Sequence, residues 1–180
     1  MHQKRVSKGV WVWGQFDNAS TEQITRLHNA ANEMLNGPSF DVHLTLSGPI
    51  LDLESNYQSK LNDLSKTLSC IEIKLDGIGM KDQFYQSLFL NLKENLTLKN
   101  LKTQIDSKLN LDKDNFFPHI SLYYGNAREK SKVRFLDELR LPEKALLDTI
   151  SIVKVDEEIK SWKVLRSFSL RTNKENLYNF

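Results

Sequence analysis

The chain has 180 residues, 39% of them hydrophobic and 27% charged, and a formal net charge of +2. That is enough apolar material for a sizeable core, and too little net charge for a surface that coats nucleic acid. No run approaches the ~20 apolar residues of a membrane-spanning helix, and the single cysteine, Cys70, allows no internal disulfide.

Residues 1–8 are basic, but they lead into a short strand-like run rather than the apolar core and cleavage site of a signal peptide. With one cysteine, this fits a cytoplasmic protein. Residues 8–14 read as a first strand, valines on one face and Trp11 and Trp13 on the other. Residues 18–22 offer helix N-caps, after which Ile24, Leu27, Ala31, Met34 and Leu35 recur at helical spacing until Gly37-Pro38. Residues 42–50 read as a strand and 56–68 as a helix with Leu61, Leu64 and Leu68 on one face. A strand over 71–75, a turn at Gly77 and Gly79, and a strand over 84–92 follow. Leu96, Leu98, Leu101, Ile105 and Leu109 mark the next helix. Residues 119–124 form a strand ending at Gly125, and 130–139 a helix. The locally basic run 128–134 reads as a solvated helix face. Strands over 146–155 and 162–170 flank a turn at Asp156-Glu157-Glu158, and residues 173–180 read as a frayed tail.

Each half of the chain carries one strand of the form apolar, His, apolar, hydroxyl, apolar. The first is Val42-His43-Leu44-Thr45-Leu46, the second Pro118-His119-Ile120-Ser121-Leu122. Side chains alternate along a strand, so His43 shares a face with Thr45, and His119 with Ser121, while the apolar faces anchor in a core. One neutral imidazole can take a proton from an attacking water, and one protonated imidazole can give a proton to a leaving alkoxide. The two hydroxyls can donate to the non-bridging phosphate oxygens. A lone His-x-Thr is more often a half-exposed polar face than a catalytic one; the second copy is what tips the reading toward chemistry. His2 and His28 have no hydroxyl partner and read as structural. No His-x-x-x-His, Cys-x-x-Cys or acidic cluster accompanies the motifs, so no metal site is expected. Trp11, Trp13, Tyr85, Tyr123 and Tyr124 are candidates for stacking a base or ribose. Simple alternation places Tyr123, not Tyr124, on the His119 face.

The paired motifs resemble those of the 2H phosphoesterase superfamily. Trp13, Gly37-Pro38-Ser39-Phe40, the run Phe84 to Leu90, the run Pro118 to Gly125, Ile152 to Asp156 and Ser161-Trp162-Lys163 together resemble its small cyclic phosphodiesterases. The resemblance implies an α+β, bilobal 2H phosphoesterase fold, with two antiparallel sheets and outer helices around a central cleft, over a single domain at 1–172. It implies hydrolysis of nucleoside 2′,3′-cyclic phosphates to 2′-phosphates, and of ADP-ribose 1″,2″-cyclic phosphate to the 1″-phosphate, with no metal or organic cofactor. It implies His43, Thr45, His119 and Ser121 as catalytic residues, and Trp13, Tyr85 and Tyr124 in the cleft. We expect His119 as base and His43 as acid, although the near-symmetry of the motifs leaves the reverse open. The expected partner is a small cyclic-phosphate nucleotide, taken by a monomer without a membrane or a stable nucleic-acid complex. Two rival readings remain: an RNA 2′-5′ ligase-like or 2′,5′-oligonucleotide phosphodiesterase, and a non-catalytic nucleotide-binding module.

Overall fold

In the computed structural model, which describes residues 8–50, 56–111, 115–136 and 139–172, the described residues form seven strands and four α-helices. They are β1 (Gly9–Phe16), α1 (Asn18–Leu35), β2 (Leu44–Ile50), α2 (Tyr57–Ser65), β3 (Ile71–Met80), β4 (Leu88–Leu92), α3 (Leu96–Leu109), β5 (His119–Tyr123), α4 (Glu129–Leu136), β6 (Lys144–Val155) and β7 (Lys163–Ser169). His2, positions 137 and 138 of the helix expected over 130–139, and the expected tail at 173–180 lie outside the described residues.

Every strand pairing is antiparallel. The order is β1-β2-β5-β4-β3-β6-β7, and a further pairing joins β1 to β6. The pairings therefore close a circuit through the first six strands. β6 is the common member: its first residues pair with β3, its later ones with β7, and β1 runs along its other edge. Two groups of strands thus hang on β6 within one seven-stranded antiparallel sheet, which with the four α-helices gives the expected α+β fold. On the opposite side of the circuit they meet at one residue pair, Leu44 opposite Ile120.

The core follows from alternation. Val12, Leu44, Leu46, Ile120 and Leu122 are buried beneath α1, α2 and α3 with Ile24, Ala31, Leu61, Leu98, Leu101 and Ile105. Burying each such side chain stabilises the fold by about 1.5–3 kcal/mol relative to exposure. On the other face of β1, Trp13 joins Val153 and Val155 in a separate apolar cluster, with Trp11, Trp162 and Val164 packed against it. The valine and tryptophan faces of β1 are divided as its sequence indicates.

Four local expectations are corrected. The α1 cap is Asp17, whose carboxylate accepts from the Ser20 amide at 2.9 Å, and the helix ends at Asn36 in the left-handed conformation, one residue before Gly37. Met34 and Leu96, read as members of apolar helix faces, are 47% and 70% exposed. β3 does not turn at Gly77 and Gly79. Gly77 (φ +74) sits at a register irregularity, and a side chain at Gly79 would collide with the Phe89 ring, so both glycines let the strand continue. The chain turns instead through a short 3-10 segment at Phe84–Gln86, and β4 starts only at Leu88. Finally, the basic run at 128–134 is not wholly solvated: Lys132 is buried, and its Nζ donates to the carbonyls of Lys81 and Ser87 and to Ser87 Oγ.

Candidate active site

The Leu44–Ile120 pair is the centre of both sequence motifs. His43 and Thr45 flank Leu44, and His119 and Ser121 flank Ile120, so pairing these two residues brings the motifs side by side. Both central residues are fully buried. The flanking polar residues other than Ser121 consequently point the other way, toward a cavity of about 310 Å³ on the opposite face of the sheet. His43, Thr45 and His119 line it.

The two imidazoles are held alike. Nδ1 of His43 lies 2.7 Å from the carbonyl oxygen of Asp41, and Nδ1 of His119 lies 2.9 Å from that of Phe117. A carbonyl oxygen only accepts, so Nδ1 must carry the proton in both rings. Each neutral ring therefore presents Nε2 as its basic nitrogen. In both motifs the anchor is the carbonyl two residues back, which fixes the tautomer and ring orientation without any other side chain.

Burial holds both imidazoles below their ordinary value of 6.5. His43 is depressed to about 4, chiefly by desolvation; its bond to Asp41 opposes this, and the neighbouring His119 and His28 add to it. His119 is lowered by desolvation against the bond to Phe117, with a further contribution from the Lys81 charge. His43 is also stacked on Trp13, with ring centres 3.6 Å apart and planes 8° from parallel. One face of the Trp13 indole is therefore covered by His43. Trp13 lines the cavity, but as the backing of a histidine.

The other aromatics form the mouth. Tyr85 stands on the 3-10 turn, 5.2 Å from the Tyr124 ring and 6.2 Å from Trp162. Phe40 stacks on Tyr124 at 4.0 Å. Tyr85, Tyr124, Trp162 and Trp11 all line the cavity. Tyr123 does not, contrary to simple alternation: its hydroxyl donates to the carbonyl of Leu35 in the core. The cause is a register irregularity. Leu88 pairs with Tyr123 and Phe89 with Ser121, so one β5 residue is extra and the facing inverts past it.

Ser121 differs from Thr45: it is buried and does not line the cavity. Burial pushes the Tyr124 phenol up. His28 has the structural place expected of it. Nδ1 donates to the Leu122 carbonyl at 2.9 Å, and Nε2 accepts from Asn32 at 3.0 Å and from the Phe40 amide at 3.3 Å.

Among the contributors to the wall that sequence reasoning missed are Trp162, Gln86 and Lys102. Trp162 gave a signal as an aromatic at the start of a strand, but nothing local tied it to Trp13. Gln86, bonded to Lys81 at 2.9 Å, gave none. Lys102 sat at a helix position whose neighbours are apolar, which was a signal, yet its exposure is only 6%. Among the described residues no group of three or more His, Cys, Asp or Glu is placed to hold a metal ion. No helix among them is long and apolar enough to cross a membrane.

The family described as cyclic phosphodiesterase-like protein matches residues 11–173, which include both motifs and every cavity residue named above. The chain belongs to this cyclic phosphodiesterase-like family. The family lies within the 2H phosphoesterase superfamily, whose members are enzymes of phosphoester hydrolysis or ligation. Among solved structures the chain is similar to LigT of E. coli in its apo form, with a TM-score of 0.62 and 16% identity over 92% of this chain and 98% of that one. It is similar to LigT complexed with 3′-AMP, at 0.59 and 14% over 91% and 98%. TT0787 of Thermus thermophilus matches at 0.62 and 15% over 91% and 98%. These likenesses show a shared fold. No curated protein matches the chain.

Proposed function

We propose that this cyclic phosphodiesterase-like protein opens a small cyclic phosphodiester by general acid–base catalysis between His43 and His119, without a metal. The substrates are nucleoside 2′,3′-cyclic phosphates, giving 2′-phosphates, or ADP-ribose 1″,2″-cyclic phosphate, giving the 1″-phosphate. The observation that carries the reading is the pair of imidazoles on one cavity wall, each with Nδ1 bonded to the carbonyl two residues back. Nε2 of one takes a proton from water as the water oxygen bonds to phosphorus. The ring P–O bond breaks, and Nε2 of the other, protonated, gives its proton to the leaving oxygen. Each transfer contributes roughly 10²–10⁴-fold. Thr45, on the cavity wall, donates to a phosphate oxygen, and Ser121 is its counterpart in the second motif.

His119 is the base and His43 the acid in this scheme. A group held at about 4 carries no proton at neutral pH, so His43 needs the phosphate charge beside it to become an acid. Cavity size supports a small substrate, since about 310 Å³ is at the low end for ligand sites. LigT holds 3′-AMP on the same fold, which supports a nucleotide. The shared fold also favours a second reading, RNA 2′-5′ ligation or 2′,5′-oligonucleotide cleavage. That reading demands a steep salt dependence of oligonucleotide binding.

The test is a metal-free assay, with chelator, against four nucleoside 2′,3′-cyclic phosphates, ADP-ribose 1″,2″-cyclic phosphate, 3′,5′-cyclic AMP and short 2′,5′-oligoadenylates. Turnover of the first two classes is expected, and either His→Ala variant should lose at least about 100-fold. Near wild-type activity in either variant on every substrate would sink the two-histidine mechanism. Binding of AMP with no turnover of any cyclic phosphate would point to a binding module.

A further inference from the structure

Two lysines are buried among the described residues, and they are used differently. Lys102, on the cavity wall, pairs with Asp106, whose carboxylate also accepts from Ser47 Oγ at 2.6 Å, so that charge is answered within the fold. Lys132 lies on α4, whose buried residues are Lys132 and Phe135. Phe135 joins the core, as the inward side of an amphipathic helix should. Lys132 inverts the pattern: it is 4% exposed, while the apolar Val133 beside it is 43% exposed. An apolar side chain would anchor the helix without the cost of burying an ammonium.

What Lys132 reaches accounts for its place. β3 ends at Met80 and β4 begins at Leu88, so residues 81–87 form the loop between them. Lys132 Nζ donates to the Lys81 carbonyl at 3.1 Å, to the Ser87 carbonyl at 3.2 Å and to Ser87 Oγ at 3.3 Å. An ammonium has three donors, and here all three go to the first and last residues of the loop. One side chain thereby closes the loop at its base. Within the loop, Lys81 Nζ donates to Gln86 Oε1, and the Phe84 carbonyl accepts from the Gly125 amide at 3.0 Å. The far end of the loop carries Tyr85 and Gln86 onto the cavity wall, where the Tyr85 ring meets Tyr124 and Trp162. Lys132 itself does not line the cavity.

We propose that Lys132 is a positioning residue for substrate binding: by tying both ends of the 81–87 loop it holds Tyr85 at the mouth of the cleft, where the ring bears on the bound nucleotide. The proton transfers of His43 and His119 do not depend on it. This rests on the cyclic phosphodiester reading above and adds to it a residue outside the cleft.

The test is steady-state kinetics on whichever cyclic phosphate of the panel above is turned over best. Lys132→Met removes the three donors and nearly keeps the length of the side chain. Its KM should rise about tenfold, the contribution of one aromatic contact to a base, with kcat within about twofold of the wild type. Tyr85→Ala should raise KM by a similar factor. Adding Lys132→Met to Tyr85→Ala should raise KM no further, because the contact that the lysine holds in place is already gone. Ser87→Ala removes one acceptor and leaves the lysine in place. It should raise KM by a smaller factor, again only when Tyr85 is present, and it carries the test if Lys132→Met does not fold. An unchanged KM in the folded variants, a loss that falls on kcat, or a rise in KM that adds to that of Tyr85→Ala overturns the inference; a general loosening of the fold would give the last two. If the wild type turns over no cyclic phosphate at all, the underlying reading fails and takes this one with it. Turnover with an unchanged or additive KM removes this inference alone.

Discussion

The stacking of Trp13 on His43 makes a quantitative prediction. His43 is held at about 4 against an ordinary 6.5, and each pH unit is 1.36 kcal/mol, so charging this imidazole costs about 3 kcal/mol more than in water. Desolvation is the main cause, and the indole 3.6 Å away, nearly parallel, covers one face of the ring. Trp13→Leu removes that cover on the cavity side and lets water reach the imidazole. The His43 midpoint should then rise by at least about one pH unit, toward 6.5. The assay is NMR titration of the histidine Cε1 protons, with His43→Gln used to assign the resonance. Substrate affinity should weaken as well, since the ring that orients the imidazole is gone. A wild-type His43 that titrates near 6.5 would refute the burial argument. A variant midpoint still near 4 would refute the role given to Trp13.

Stability should fall on mild acidification. His43, His119 and His28 all have folded values below the unfolded 6.5, so the unfolded chain binds more protons between that pH and the folded values. Stability is full above about pH 6.5 and declines toward pH 4, by about 3 kcal/mol from His43 alone, as thermal melts across that range will show. Ile120→Ala should cost about 2–5 kcal/mol in chemical denaturation and reduce activity beyond any loss of folded protein, because the residue is fully buried at the pair that aligns the motifs. His28→Leu leaves the buried Leu122 carbonyl without its donor, at a cost of about 1–3 kcal/mol. The same change frees Phe40 and hence Tyr124, so KM should rise more than kcat falls.

The motif histidines were legible in the sequence because their surroundings are local. A strand alternates by geometry, and the anchoring carbonyl is only two residues away, so the placing of His43 and His119 opposite the core could be read without knowing the fold. The helices were legible through their apolar spacing, with errors at the ends: the exposed Met34 and Leu96 sit where the spacing runs past the face that packs. The Gly77 and Gly79 turn was misplaced because glycine also serves a bulge and a close ring contact, and only the partner strand decides which. Tyr124 was identified by resemblance and not by alternation, since the irregularity at the end of β5 depends on how β4 pairs with it. Lys102, Asp106 and Ser47 are 59 positions apart at their extremes and meet only in the folded chain. No local pattern could have joined them.

The equivalence of the two imidazoles has a consequence for direction. Hydrolysis and its reverse pass through the same transition state, and in the reverse the former acid must begin as the base. In many acid–base pairs the surroundings differ enough to favour one assignment. Here both rings carry the proton on Nδ1, both lean on a carbonyl two residues back, and both are depressed by burial. The same scaffold can thus run the reaction either way, with His119 the base in hydrolysis and His43 the base in its reverse. Which bond is made and which is broken depends on the molecule that occupies the cleft and on whether water or a hydroxyl stands in line with phosphorus.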